Sequence, residues 1–385
     1  MKKVAIRRYK YNKNYIHRDD DENSLLIENH KKYFRFVLIY IIIGIIAVIL
    51  FIYIIVKLTK NKNITTKNTN NCNTTTILDK NLLNTTNNDY LNYINVAYSI
   101  DNNYHYLAHI SMKSIMLSQY NTTFINFYIL YSNFSAKQKE VINRISLQHK
   151  NCKIEFIDMG NQFKDFSIHD DIFAVWSPAD FFRILLQDIF PNEKKFLYLD
   201  ADTLIYKDLT KLYNYNITDK YYIGMLEFKV FSYARYFKKR FNNYINTGVI
   251  LCNLEELRKG NISEKFIQFH KEYNKQIRYP VNDPLNIVSH EKNGYFDPEY
   301  VVIGFCDENA AAEYYTKTAI KLNVTEVVKA YKDPYIYHLI YYAKPWREVP
   351  KDNGKVCVDP FIRFYEIARK TDYYHEILKI FPVKP

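Results

Sequence analysis

The sequence predicts an α/β domain with a largely parallel central sheet, preceded by one transmembrane helix. Three observations point there. From residue 91 onward, strand-like and helix-like apolar runs alternate, the pattern of strands joined by helical crossovers. Ahead of them, Phe36 to Val56 is a run of 21 residues without a charge. Between the two, residues 57–90 hold ten Asn and nine Thr, too polar a composition to bury the surface that would offset ordering entropy.

Taken along the chain, residues 1–35 form a basic tail of ten Lys/Arg against five acids. The uncharged run 36–56 spans roughly 31 Å as a helix, close to the thickness of bilayer hydrocarbon. It lacks the polar stripe of a core helix and exceeds a signal-peptide apolar region. The short basic tail favours the N-terminus inside and the large C-terminal part across the membrane. Residues 57–90 read as a flexible stalk, in which Cys72 is placed to join two chains. The domain 91–385 then opens with a strand at Ile94–Ile100 and a helix from about Tyr106 to Gln119. A strand at Phe124–Tyr131 and a helix at Ser135–His149 with an N-cap Ser come next. Further strands are expected at Lys153–Asp158 and Phe196–Leu199, around a helix at Pro178–Phe190 with Pro in its first turn.

Composition excludes several functions. The eight glycines are too dispersed for G-x-G-x-x-G, a P-loop or a G-x-S-x-G elbow, and neither H-E-x-x-H nor C-x-x-C occurs. The net charge of +12 falls mostly beside the membrane segment, because residues 91–385 carry 38 basic and 34 acidic side chains. Nucleic acid is therefore not an expected partner. Sequons at Asn63, Asn73, Asn84, Asn121, Asn133, Asn216, Asn261 and Asn323 all follow the membrane run, as a lumenal, glycan-bearing domain requires.

The segment KFLYLDADTLIYKDL, residues 195–209, carries the chemistry. A short apolar strand leads to Asp200 and Asp202, two residues apart and hence facing the same way in extended chain. Two carboxylates at the carboxyl end of a buried strand stand where open α/β sheets place ligands. They repel unless a cation shares them. Oxygen ligands suit Mg²⁺ or Mn²⁺, and an added imidazole favours Mn²⁺. A metal-bound diphosphate is a natural occupant.

With this motif the chain resembles glycosyltransferase family 8, from about Ile94 to Trp346, through several motifs in family order. The resemblance implies a GT-A fold, a UDP-sugar donor and a metal held by D-x-D. INVAYSIDNNY resembles the opening strand and nucleotide-binding turn, implying Asp101 and Asn103 near the uridine. ADFFRILL supplies the family's Arg as Arg183, implying a donor-binding role in stabilising the departing UDP. YLDADTLIYKDL gives Asp200 and Asp202 their metal and diphosphate roles. YINTGVILCNL places Asn246 beside the donor sugar. IYHLIYYAKPW makes His338 the third metal ligand and Lys344 a diphosphate contact. Glu227, in YIGMLEF, stands where the family often has an Asp facing the sugar or acceptor.

Departures occur too. The segment usually reading D-Q-D-x-L-N is VNDPLN, with Val281 for an acid and Asn282 for a Gln near the reacting carbon; Asp283 and Asn286 are kept. Tyr341 replaces a Gly that approaches the diphosphate. The implied function is transfer of a hexose from a UDP-sugar to a hydroxyl of a glycan or glycolipid, with retention, by a type II membrane protein of the Golgi or another secretory membrane. Two alternatives stay open: a membrane-anchored nucleotide- or carbohydrate-binding protein without turnover, and a bacterial-type inner-membrane enzyme with a cytoplasmic domain.

Overall fold

The computed structural model describes residues 90–166, 177–227, 244–277, 279–303, 323–340, 344, 351–352, 355–356 and 358–382. The basic tail, the apolar run 36–56, stalk residues 57–89 and Tyr341 lie outside them. Among the described residues no helix is long and apolar enough to cross a membrane.

The main sheet contains β1 (Asn92–Ile100), β2 (Thr123–Tyr131), β3 (Cys152–Asp158), β4 (Lys195–Leu199), β6 (Tyr222–Leu226), β7 (Ile245–Asn253) and β8 (Asn293–Tyr295). Their order is β3-β2-β1-β4-β7-β6-β8. β1, β2, β3 and β4 pair in parallel. β7 runs antiparallel to both β4 and β6, so the sheet is mostly parallel with one reversed strand near its middle. From β1 the chain winds outward to β3 and then returns to add β4 on the other side of β1. That reversal opens a crevice at the carboxyl ends of β1 and β4, where doubly wound sheets bind ligands. Asp101 follows β1, and Asp200 follows β4.

A second sheet follows the D-x-D turn. It consists of β5 (Thr203–Ile205), β9 (Val301–Ile303) and β10 (Ile336–His338), in the order β5-β10-β9. β10 lies antiparallel to β5 with His338 opposite Thr203, which carries His338 to the D-x-D turn from 135 residues downstream.

The helix His105–Ser118 is buried from Tyr106 through Met116. It has no solvent stripe because it is enclosed by the helix Ala136–Gln148, β5, the helix Val358–Arg369 and β1. Its buried polar groups are used. Tyr98 Oη pairs with Ser111 Oγ at 2.9 Å, Ser111 Oγ with Thr203 Oγ1 at 2.8 Å, and Thr203 Oγ1 donates to Asp200 O at 2.9 Å. This hydroxyl chain runs from the central strand to the backbone of the D-x-D turn.

The expected elements are found within one or two residues at their ends. Ser135 caps Ala136–Gln148 in a reciprocal capping box with Gln138, satisfying otherwise orphaned backbone donors. The expected helix at Pro178–Phe190 is instead 3₁₀ over Pro178–Leu185, followed by one α turn at Leu186–Ile189. Ser177 and Asp180 cap its start, and Arg183 Nε donates to Asp180 O at 2.9 Å. The guanidinium is thereby drawn along its own backbone toward the sheet.

His109, fully buried on the helix His105–Ser118, faces the edge of the Tyr373 ring at 5.4 Å. Burial pushes its imidazole down to about 4. The unfolded imidazole takes up a proton below about 6.5, which the folded one refuses until about 4. The associated stability is thus complete above 6.5 and is lost as pH falls toward 4. We expect urea unfolding to show about 3 kcal/mol less stability at pH 4 than at pH 7 from this group, and His109→Gln to remove that part of the slope. Equal slopes in the two proteins would contradict the assignment.

Candidate functional site

The D-x-D motif occupies the turn between β4 and β5 and is pinned at three backbone points. Asp200 N donates to Gly248 O at 2.7 Å, Leu339 N donates to Asp202 O at 2.8 Å, and Thr203 Oγ1 holds Asp200 O. The first contact extends the β4–β7 ladder by one rung. On the other side of β7, Gly224 pairs with Ile250, but Met225 pairs with Asn246, so the register slips. Thr247, Gly248 and Val249 are left out of the β6 ladder, and the Thr247 carbonyl turns to Arg183. Bulges beside active sites commonly re-aim groups in this way.

The side chains divide the charge evenly. Asp200 Oδ1 accepts from Tyr198 Oη at 2.9 Å and lies 2.9 Å from Arg183 Nη2. Asp202 Oδ2 lies 2.8 Å from Lys344 Nζ. The other oxygens turn to one place: Asp200 Oδ2 is 3.7 Å and Asp202 Oδ1 3.2 Å from His338 Nε2. His338 is 2% exposed, and neither ring nitrogen has a hydrogen-bond partner of acceptable geometry. Burial pushes the Asp202 carboxyl up, yet Lys344 and His338 more than offset this and hold it well below the usual carboxylate range. Arg183 is 4% exposed. Burial alone would lower its basicity, but Asp200, Tyr198 and Asp180 outweigh that and raise it.

Among the described residues Asp200, Asp202 and His338 form a group whose ligand atoms all lie within 4.8 Å of one another. A six-coordinate cation with bonds of about 2.1 Å at right angles places neighbouring donors roughly 3 Å apart. Two oxygens and one unpartnered imidazole nitrogen at 3.2 and 3.7 Å therefore fit a divalent ion with little adjustment. Gly248 forms the floor of this cradle. A β-carbon there would collide with His338 Cε1 and Asp200 Oδ2.

The pocket at the crevice is lined by Asp101, Tyr104, Asp180, Asp200, Asp202 and Lys344, among others. Asp101 Oδ1 accepts from Asn103 N at 2.8 Å, closing a tight turn after β1; Asn103 itself is exposed. Tyr104, Asp180 and Tyr198 were not singled out by the sequence. Tyr198 could have been found, because it stands two residues before Asp200 on the same strand face.

Glu227, Asn246 and Asn282 form a buried polar group beyond Gly248. Glu227 Oε2 accepts from Asn246 Nδ2 at 3.2 Å and from Asn282 Nδ2 at 3.4 Å. Asn246 Oδ1 accepts from Gly248 N at 2.9 Å, and Asn282 Oδ1 accepts from Thr247 Oγ1. This group thus joins the metal cradle through the Thr247–Gly248 bulge. Asp283 is 1% exposed, and its oxygens accept from Tyr244 Oη and Tyr279 N. That geometry clamps the start of the helix Asn282–Ser289. Asn286 likewise binds Ile245 N and O, both at 2.8 Å. Val281 is completely buried in the apolar core.

Residues 95–349 match the family Glycosyl transferase family 8. A putative glycosyltransferase of Haemophilus influenzae is 27% identical over 198 residues, covering 50% of this chain and 58% of that protein. The shared part is thus little more than half of that relative. A lipopolysaccharide 1,2-glucosyltransferase of Escherichia coli is 26% identical over 277 residues, covering 66% of this chain and 80% of its own. A crystal structure of the galactosyltransferase LgtC with donor and acceptor sugar analogues superposes with a TM-score of 0.60 at 20% identity, covering 72% of this chain and 96% of that one. This likeness establishes the GT-A-like fold.

Gly248→Ala should displace His338 and Asp200 together while leaving the sheet intact. The expected result is a folded protein, by circular dichroism, whose Mn²⁺ binding is weakened at least tenfold. Unchanged Mn²⁺ binding would show that the cradle does not hold the ion.

Proposed function

The chain belongs to glycosyltransferase family 8, and on that premise we propose that this glycosyltransferase moves a hexose from a UDP-sugar to a hydroxyl of a glycan or glycolipid, with Mn²⁺ at Asp200, Asp202 and His338. One observation carries the metal: a single oxygen of each Asp and a buried imidazole nitrogen that makes no well-formed hydrogen bond converge, while the outer oxygens are occupied by Arg183, Tyr198 and Lys344. The imidazole favours Mn²⁺ over Mg²⁺.

When bound, the cation supplies positive charge against the negative charge that develops on the departing UDP. The chain's own residues do the rest. Asp101 and its turn, with Asn103, offer the nucleoside end of the crevice a carboxylate and a fixed backbone. Lys344 lies at the pocket wall against Asp202, placed as a point charge for the diphosphate. Arg183 fixes Asp200 and the Thr247 carbonyl at once. Glu227, Asn246 and Asn282 provide the polar wall on the sugar side of Gly248. Asn282 Oδ1 accepts from Thr247 Oγ1, and the proposed transfer is a retaining, front-face one in which no side chain attacks the sugar. Asp283, held by Tyr244 and Tyr279, orients the Asn282 helix.

The basic tail, the apolar run 36–56 and the stalk support a type II anchor with the domain in a secretory lumen, such as the Golgi, and Cys72 offers a link between two copies. A second reading, a carbohydrate- or nucleotide-binding protein without turnover, is favoured by one observation: the Asn282 amide already bonds Thr247 Oγ1 and Glu227 Oε2 within the protein.

The test is UDP release by the full chain from a panel of UDP-sugars with Mn²⁺, with and without EDTA. Release from one donor, abolished by EDTA and reduced about 10²–10³-fold in Asp202→Asn, is the expected result. UDP binding without release from any donor, even with mixed glycan acceptors, would favour the second reading.

A further inference from the structure

Tyr198 is buried on β4, and its position two residues before Asp200 puts both on one face of the strand end. Its Oη donates to Asp200 Oδ1 at 2.9 Å, and its ring lies under Arg183, whose Cζ is 4.3 Å from the ring centroid. Arg183 in turn places Nη2 2.9 Å from the same Oδ1, Nη1 2.7 Å from Thr247 O and Nε 2.9 Å from Asp180 O. The guanidinium is therefore committed on all three nitrogens to the protein. The Tyr198 hydroxyl and the Arg183 guanidinium both hold Asp200 Oδ1. With Oδ1 held twice, Oδ2 is the oxygen left toward His338, 3.7 Å from its Nε2.

Resting on the metal reading above, we infer that Tyr198 is a positioning residue for metal binding: its hydroxyl, together with Arg183 stacked on its ring, locks the Asp200 carboxylate with Oδ2 toward the ion. Partners of this kind, which orient a ligand without touching the metal, typically account for about 10–100-fold in metal affinity. The contacts of Arg183 serve the ligand carboxylate and the Thr247–Gly248 bulge.

Tyr198→Phe isolates the claim, because the ring under Arg183 is kept and only the donor to Asp200 is lost. Tyr365→Phe is the matched control. Tyr365 is also a buried tyrosine, but its Oη donates to Phe381 O at 3.1 Å, at the C-terminal helices. The measurement is calorimetric titration of Mn²⁺ into the full chain at constant UDP, with metal-free melting temperatures recorded alongside. We expect Tyr198→Phe to weaken Mn²⁺ binding about tenfold or more at a metal-free melting temperature equal to that of Tyr365→Phe, which binds Mn²⁺ like the parent. Parent-like Mn²⁺ binding by Tyr198→Phe overturns the inference alone. Equal weakening in both variants also overturns it, since the effect is then general to a lost buried hydroxyl. No saturable Mn²⁺ binding by the parent chain overturns the metal reading and the inference together.

Discussion

Two carboxylates held within 4.8 Å of each other on a buried turn repel by roughly 3–4 kcal/mol at an effective dielectric near 20. Such an arrangement persists only if positive charge is built around it, and much of this fold is placed to do so. Lys344 lies on the outer oxygen of Asp202, and Arg183 on the outer oxygen of Asp200. These two contacts come from segments on either side of the turn in sequence, which means that the carboxylate pair fixes where distant parts of the chain must meet. What is left inside is a space bounded by two inward oxygens and one imidazole nitrogen.

The scaffold explains why the pair stays in place. The reversal of winding between β1 and β4 opens the crevice, and the reversed strand β7 supplies its floor at Gly248. The slip in the β6–β7 ladder frees the Thr247 carbonyl for Arg183, while the Gly248 carbonyl extends the β4–β7 ladder to Asp200. Below the turn, the Tyr98–Ser111–Thr203 hydroxyl chain ties the Asp200 carbonyl to the helix His105–Ser118. Small shifts in this packed region would therefore move the ligands, since close-packed interiors transmit strain. Glu227, Asn246 and Asn282 reach the same bulge from the other direction. The carboxylate–imidazole cluster and this buried polar group thus share one piece of backbone, Thr247–Gly248.

Local patterning made most of the α/β frame legible. β1, β2 and β4 are apolar runs of the right length, and Ser135 with Gln138 announces its helix. Asp200 and Asp202 were readable because a strand's two-residue period is a local property. The reversed direction of β7 was not readable, since a fully buried strand has the same apolar run whichever way it lies. The 3₁₀ form of Pro178–Leu185 was not readable either, since 3₁₀ and α segments share the same local apolar pattern over so short a stretch. His338 and Lys344 could be attached to the site only through the family resemblance, because their approach depends on β10 pairing with β5 across more than a hundred residues. Asp283 shows the reverse: its motif position suggests chemistry, while its contacts with Tyr244 and Tyr279 hold a helix start.

The central claim is that the inward atoms of Asp200, Asp202 and His338 bind one divalent ion. An anomalous difference map from crystals of the chain with Mn²⁺ and UDP addresses it most directly. The account predicts one strong peak within about 2.0–2.2 Å of Asp200 Oδ2, Asp202 Oδ1 and His338 Nε2. UDP density in the crevice with no peak at those three atoms, or with the peak elsewhere, would contradict it.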